Sequence, residues 1–143
     1  MTRAPILLAA LALAACGGTS YPGPVDPGGF VGTYIAATAE KTLTGQRDEI
    51  RGTCLSACAV RLRNPYSCTF DDTLFGFHGT HVMERRGSLV RYVPLPAGKF
   101  DHGRNALPSY LHAFHDAHAR HVPLHQFVYL TGAQVIEMGA QRC

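Results

Sequence analysis

A serine hydroxyl becomes a nucleophile only when a base takes its proton, and histidine is the usual base near neutral pH. In this chain the pairing that fits is Ser56 with His78, 22 residues further on. Ser56 stands in the stretch Gly52-Thr53-Cys54-Leu55-Ser56-Ala57-Cys58, where Gly52 lets the backbone turn tightly. Ala59-Val60-Arg61-Leu62 can continue from it as one face of a helix. A serine at a strand-to-helix turn has an exposed hydroxyl and helix N-terminal amides close by. The same residues also fit a helix N-cap flanked by two disulfide cysteines. His78 ends the apolar run Leu74-Phe75-Gly76-Phe77, a rigid mount, and Gly79 leaves space beside the imidazole. Taken alone it reads first as a surface histidine just past a strand. Gly28-Gly29 precedes a helical pattern and can present backbone N–H groups to an oxyanion, with the N–H of Ala57 as a second donor. The plainer view of the two glycines is the end of a linker.

Two further clusters carry chemistry of another kind. His112, His115, His118, His121 and His125, with Asp116 among them, could capture zinc, nickel or copper. Steps of three residues spiral around a helix, however, and Pro123 interrupts the pair His121 and His125. A solvated face that gains charge near pH 6 is therefore expected, and no specific metal site. Glu84-Arg85-Arg86 with Arg91 could grip an acidic substrate or lipid headgroups, although a solvated charged edge is the reading expected of them.

The elements that must hold these residues are short. Phe30, Tyr34, Ala37 and Lys41 or Leu43 recur at helical spacing up to Gly45, a C-cap. Arg47 to Arg51 is expected as the strand before the serine turn, and Leu55 to Leu62 as a short helix stopped by Asn64-Pro65. Cys68-Thr69-Phe70 and Leu74 to Phe77 predict two strands around Asp71-Asp72, the second buried on both faces. Leu89 to Val93 reads as an edge strand, Pro94 to Arg104 as loop, and Leu107 to Arg120 as one helix with Pro108 in its first turn. Phe127 to Leu130 is a short apolar run, and Gly132 to Met138 a last helical turn or two. Strands alternating with helices predict an α/β domain with a small, mainly parallel sheet.

The chain has 143 residues and a formal charge of +3, with no basic block, so one domain is expected and nucleic acid is not an expected partner. Arg3 and the apolar run Ile6 to Ala14, too short to span a bilayer, have the pattern of a signal peptide. The run ends in Leu13-Ala14-Ala15-Cys16, which resembles the lipobox of bacterial lipoproteins. That resemblance implies a signal peptide over residues 1–15, cleavage before Cys16 and a lipid on its sulfur. The expected partner is then a membrane, in the bacterial cell envelope. Residues 16–27, rich in glycine and proline, are expected to form an extended tether without a strand, leaving 28–143 as the domain. Cys54, Cys58, Cys68 and Cys143 make an even number in an exported chain and allow three connectivities; the expected pairs are Cys58 with Cys68 and Cys54 with Cys143. Those bonds would brace the serine turn.

Pro27-Gly28-Gly29, a helix, Gly52-x-Cys54-x-Ser56-Ala57-Cys58 and Leu74-Phe75-Gly76-Phe77-His78, in that order, resemble the Clp-type serine peptidase and crotonase superfamily. The closer likeness is to its exported, cysteine-containing bacterial branch. The resemblance implies a Clp/crotonase-like domain in which Ser56 attacks, His78 is the base, and the Gly28-Gly29 turn with Ala57 forms the oxyanion hole. It implies a peptide or acyl substrate and needs no metal or organic cofactor. Clp-type relatives form rings, which leaves an oligomer open. Two departures stand out. The tether occupies the place of the family's early strands, so the sheet is expected to be N-terminally truncated. No aspartate lies around Pro123 to Val128, which leaves Asp116 as the nearest acid to orient His78. His121, His125 or a bare Ser–His dyad are the alternatives. The rival to an enzyme is a non-catalytic envelope lipoprotein that binds a partner, or a metal through its histidine-rich helix.

Overall fold

The computed structural model describes residues 23–143, so the expected signal peptide, Cys16 and most of the tether lie outside the described residues. Strand β1 (Val25–Asp26) leads into helix α1 (Val31–Leu43), followed by β2 (Asp48–Ile50) and β3 (Thr53–Leu55) on either side of Gly52. A 3-10 helix (Ser56–Arg63), β4 (Ser67–Thr69), β5 (Leu74–Phe77) and a hairpin of β6 (His81–Arg86) and β7 (Leu89–Pro94) come next. The chain then forms α2 (His102–Ala106), a 3-10 turn (Ser109–Leu111) and α3 (His112–Phe114), which runs on as a π-helical turn (His115–Ala119). Strand β8 (Val128–Thr131) and helix α4 (Gly132–Met138) complete a single mixed α/β domain with small, mostly parallel sheets, as the sequence predicts.

The main sheet has the order β1-β3-β5-β8. Its first three strands run parallel and β8 is antiparallel to β5. β5 sits inside the sheet, which is why it is apolar at every position: Phe75 and Phe77 are 0% and 2% exposed. Burying each such ring stabilises the fold by roughly 1.5–3 kcal/mol. Ile50, Leu111 and Val135 close the core from β2 and the later helices. α4 begins at a capping box in which Thr131 accepts from the Gln134 amide and Gln134 accepts from the Thr131 amide.

Several expectations are corrected. A strand does precede the glycine turn: Val25 and Asp26 pair with Thr53 and Cys54, a two-residue strand too short for any periodic signal. The strand before the serine is Thr53–Leu55, whereas Asp48–Ile50 pairs with β4 in a separate two-stranded sheet. Gly52, at φ +70°, makes the step between them, packed so closely on Gly23 and Pro24 that a side chain would collide with their backbone. Leu89–Pro94 is no edge of the main sheet, because it pairs only with β6. The expected helix from Leu107 to Arg120 starts after Pro108 and runs as 3-10, α and π turns over residues 109–119. The expected loop from Pro94 to Arg104 gives way to α2, which stops before Pro108 because the residue preceding proline disfavours the helical region.

The disulfides are Cys54–Cys58 and Cys68–Cys143, not the expected pairs. The turn at Ser56 folds the chain back at once, bringing Cys58 to 5.4 Å from Cys54 between Cα atoms. The last residues run beside β4, with Cys143 N–H donating to Thr69 O at 2.9 Å, and this brings Cys143 to Cys68.

Candidate active site

The parallel ladder places the site. Leu55 pairs with Gly76, so the serine after β3 and the histidine after β5 leave neighbouring strands at the same end of the sheet. Ser56 has φ +53°, making it the single non-glycine residue with positive φ among the described residues. A left-handed conformation costs an L-residue roughly 1–2 kcal/mol, and such strain collects at functional positions. Here the strain points the chain sharply from strand into helix, inside the five-residue loop that Cys54–Cys58 closes. Both sulfur-bearing residues are buried.

Gly28 is pressed onto this turn. At φ +75° it needs the freedom of glycine, and a Cβ there would strike Leu55 O and come within 2.9 Å of Ser56 Cβ. Its N–H donates to Asp26 Oδ1 at 3.1 Å. Of the two glycines expected to hold an oxyanion, Gly28 is therefore occupied, and Gly29 makes no hydrogen bond among the described residues. Ala57 N–H belongs to the first turn of the 3-10 helix, where amides have no intrahelical partner.

His78 Nδ1 lies 2.6 Å from Gly79 O. A carbonyl cannot donate, so Nδ1 carries the proton and Nε2 keeps its lone pair, the tautomer a general base needs. Burial lowers the His78 pKa below the ordinary histidine value. Repulsion from His81, His115 and His125 acts in the same direction, and the Gly79 bond opposes it. Gly79 is itself fixed: its N–H donates to Val122 O at 3.0 Å, and a side chain there would run into Arg120 O. His81 Nδ1 donates to the same carbonyl at 2.7 Å.

Ser56, Ala57, Gly28, Gly29 and His78 line one cavity of about 520 Å³, walled by Val60, Phe77, Leu107 and Phe127 among others. Ser56 Oγ makes no hydrogen bond among the described residues; catalytic bonds are often long without substrate and tighten when it binds. Asp116 does not orient His78. Arg104 holds its carboxylate at 3.1 and 2.7 Å and keeps its pKa low. A backbone carbonyl, Gly79 O, stands where an acid was expected.

The histidine series is dispersed, because the helix that carries it breaks into 3-10, α and π turns. His112 donates to Leu107 O, His115 is buried at the Ser56 cavity, and His118 stacks on Phe114. Among the described residues no group of three or more His, Cys, Asp or Glu could hold a metal ion.

A polar network beneath the turn escaped the sequence reading. Asp26 accepts from the Tyr34 hydroxyl and lies 3.6 Å from Arg61, and Arg61 grips the buried Asp48 at 3.0 and 2.6 Å. Lys41 reaches the same carboxylate at 2.9 Å. Burial raises the Asp48 pKa, but its bonds to Arg61 and Lys41 outweigh that and hold it below the usual carboxylate value. These ties join β1, α1, β2 and the 3-10 helix, and so fix Gly28 against Ser56. No local pattern announces pairs so far apart in sequence.

No protein-family model, curated protein or solved structure matches the chain.

Proposed function

We propose that the protein is a serine hydrolase of Clp/crotonase-like type, lipid-anchored through Cys16 in the bacterial envelope and acting on a peptide or acyl bond. Ser56 Oγ attacks the carbonyl carbon while His78 Nε2 takes the proton. Gly29 and Ala57 N–H hold the oxyanion, and His78 then returns the proton to the leaving group. Water completes the second half of the cycle by the same route. The observation that carries this reading is the left-handed Ser56, wedged by Gly28 and facing the cavity that His78 shares. The Gly79 carbonyl orients the imidazole without a charge, so the imidazolium gains less stabilisation than an aspartate would give. A slow dyad enzyme is the form the proposal takes. The two disulfides are consistent with an oxidising compartment.

The rival, a non-catalytic envelope lipoprotein that binds a partner with the same groove, draws on Asp116 being committed to Arg104. A fluorophosphonate probe separates the two. Labelling of the wild type that disappears in Ser56→Ala and falls steeply in His78→Gln is the expected result. Folded protein that takes no label ends the hydrolase reading.

A further inference from the structure

The Ser56 cavity does not end at its own rim. Thr80, His81, Tyr92, Leu124 and His125 line both it and a second hollow of about 1140 Å³, so the two form one trough. Its halves differ in chemistry. Around Ser56 no Asp, Glu, Lys or Arg contributes to the wall, and histidine is the charge-bearing type present. The second hollow is lined by Lys99, Arg104 and Arg120 against Asp101 and Asp116. Both carboxylates are engaged. Asp116 pairs with Arg104 at 2.7 Å, while Asp101 caps α2 by accepting the Arg104 amide at 2.8 Å and also accepts the Thr80 hydroxyl. Lys99 and Arg120, both exposed, take part in no ion pair among the described residues. The apolar half continues onto the hairpin, where Met83 and Tyr92 are cross-strand partners 53% and 50% exposed.

We propose that this trough binds an anionic amphiphile, its apolar chain in the cavity beside Ser56 and its phosphate or carboxylate over Lys99 and Arg120. The proposal rests on reading the Ser56 cavity as a substrate pocket and names the class of compound that fills it. Walls that are mostly apolar and carry no Asp, Glu, Lys or Arg favour an apolar chain over a charged one, whose hydration would not be replaced. Three cations against two carboxylates leave the far end with one net positive charge, which attracts an anion and fixes which end of the ligand enters. The shared rim sets the distance between the two groups.

Titration calorimetry on Ser56→Ala, which removes turnover, tests this with butyl phosphate, octyl phosphate, octanoate and octanol. Affinity should rise roughly fourfold per added methylene, so octyl phosphate should bind roughly 250-fold tighter than butyl phosphate. Lys99→Gln with Arg120→Gln, both at the surface, should weaken the octyl anions about tenfold and leave octanol unchanged. Tyr92→Glu, on the exposed rim, should weaken the anions as well. The tighter of octyl phosphate and octanoate identifies the headgroup. Binding of neither, affinity independent of chain length, or affinity unchanged in the double variant overturns the proposal. Saturable binding to a protein that a fluorophosphonate never labels upholds the trough and removes the hydrolase. Labelling without binding removes the trough alone.

Discussion

Ser56 carries a conformational cost that its own side chain does not require. A glycine would sit at φ +53° without that cost, so folding alone does not call for serine at this position. Ser56→Gly should therefore be more stable than Ser56→Ala by about 1 kcal/mol, since alanine keeps the strain and glycine relieves it. Chemical denaturation of the two variants checks this, and both should be equally dead towards the probe. A Ser56→Gly protein no more stable than Ser56→Ala would show that the turn imposes no strain. His78 carries a matching signature. Its pKa lies below the ordinary histidine value, principally through burial, so it stays neutral and able to accept a proton to more acid pH than a free histidine. The labelling rate should be flat from pH 8 down to about 6.5 and fall only below that. Protonation in the folded state is disfavoured relative to the unfolded chain, so this group's contribution to stability is complete above about pH 6.5 and shrinks as pH falls beneath it. A rate that already declines between pH 8 and 7 would sink His78 as the base.

At the scale of elements, the serine turn is held by what lies under it. Asp48 is 4% exposed, and its carboxylate is matched by Arg61 and Lys41 from two different helices. Asp48→Asn leaves Arg61 partly buried with the longer contact to Asp26 as its remaining ion pair and a 3.3 Å bond to Glu49 O, which should cost about 3 kcal/mol. In a domain of this size that lowers Tm by roughly 10 °C, readable by thermal denaturation. The folded-state pKa of Asp48 is depressed, so its contribution is present above the unfolded value of about 3.9 and is lost as pH falls through the folded one. Wild type and variant should thus converge in stability in strong acid; a gap that persists there removes the charge explanation. Elements with a strong local pattern could be read in advance. β5 is apolar throughout because it is covered on both faces, and α1 and α4 follow helical spacing and caps. β1 and β3, of two and three residues, are too short for a period to form, and their pairing depends on Gly23 meeting Gly52, a contact between distant residues.

For the whole molecule, the chain pattern brought Ser56, His78, Gly28 and Gly29 to one cavity because each stands at the end of an element, and element ends on one side of a parallel sheet converge. What orients His78 was not legible, since a backbone carbonyl leaves no mark on residue type. The disulfide pairing was hidden for a related reason: four cysteines leave three arrangements, and only the backbone path decides among them. The N-terminal route has a mechanical side. The described chain enters the sheet through β1, whose backbone purchase is two residues on β3 and the bond from Thr53 N–H to Pro24 O. Tension applied from the N-terminal segment therefore loads this shortest strand first, together with the side-chain ties from Asp26 to Tyr34 and Arg61. Asp26 and Gly28 travel with that strand, so a pull strong enough to peel it withdraws the wedge from Ser56 while the rest of the domain, clasped by its disulfides, stays folded.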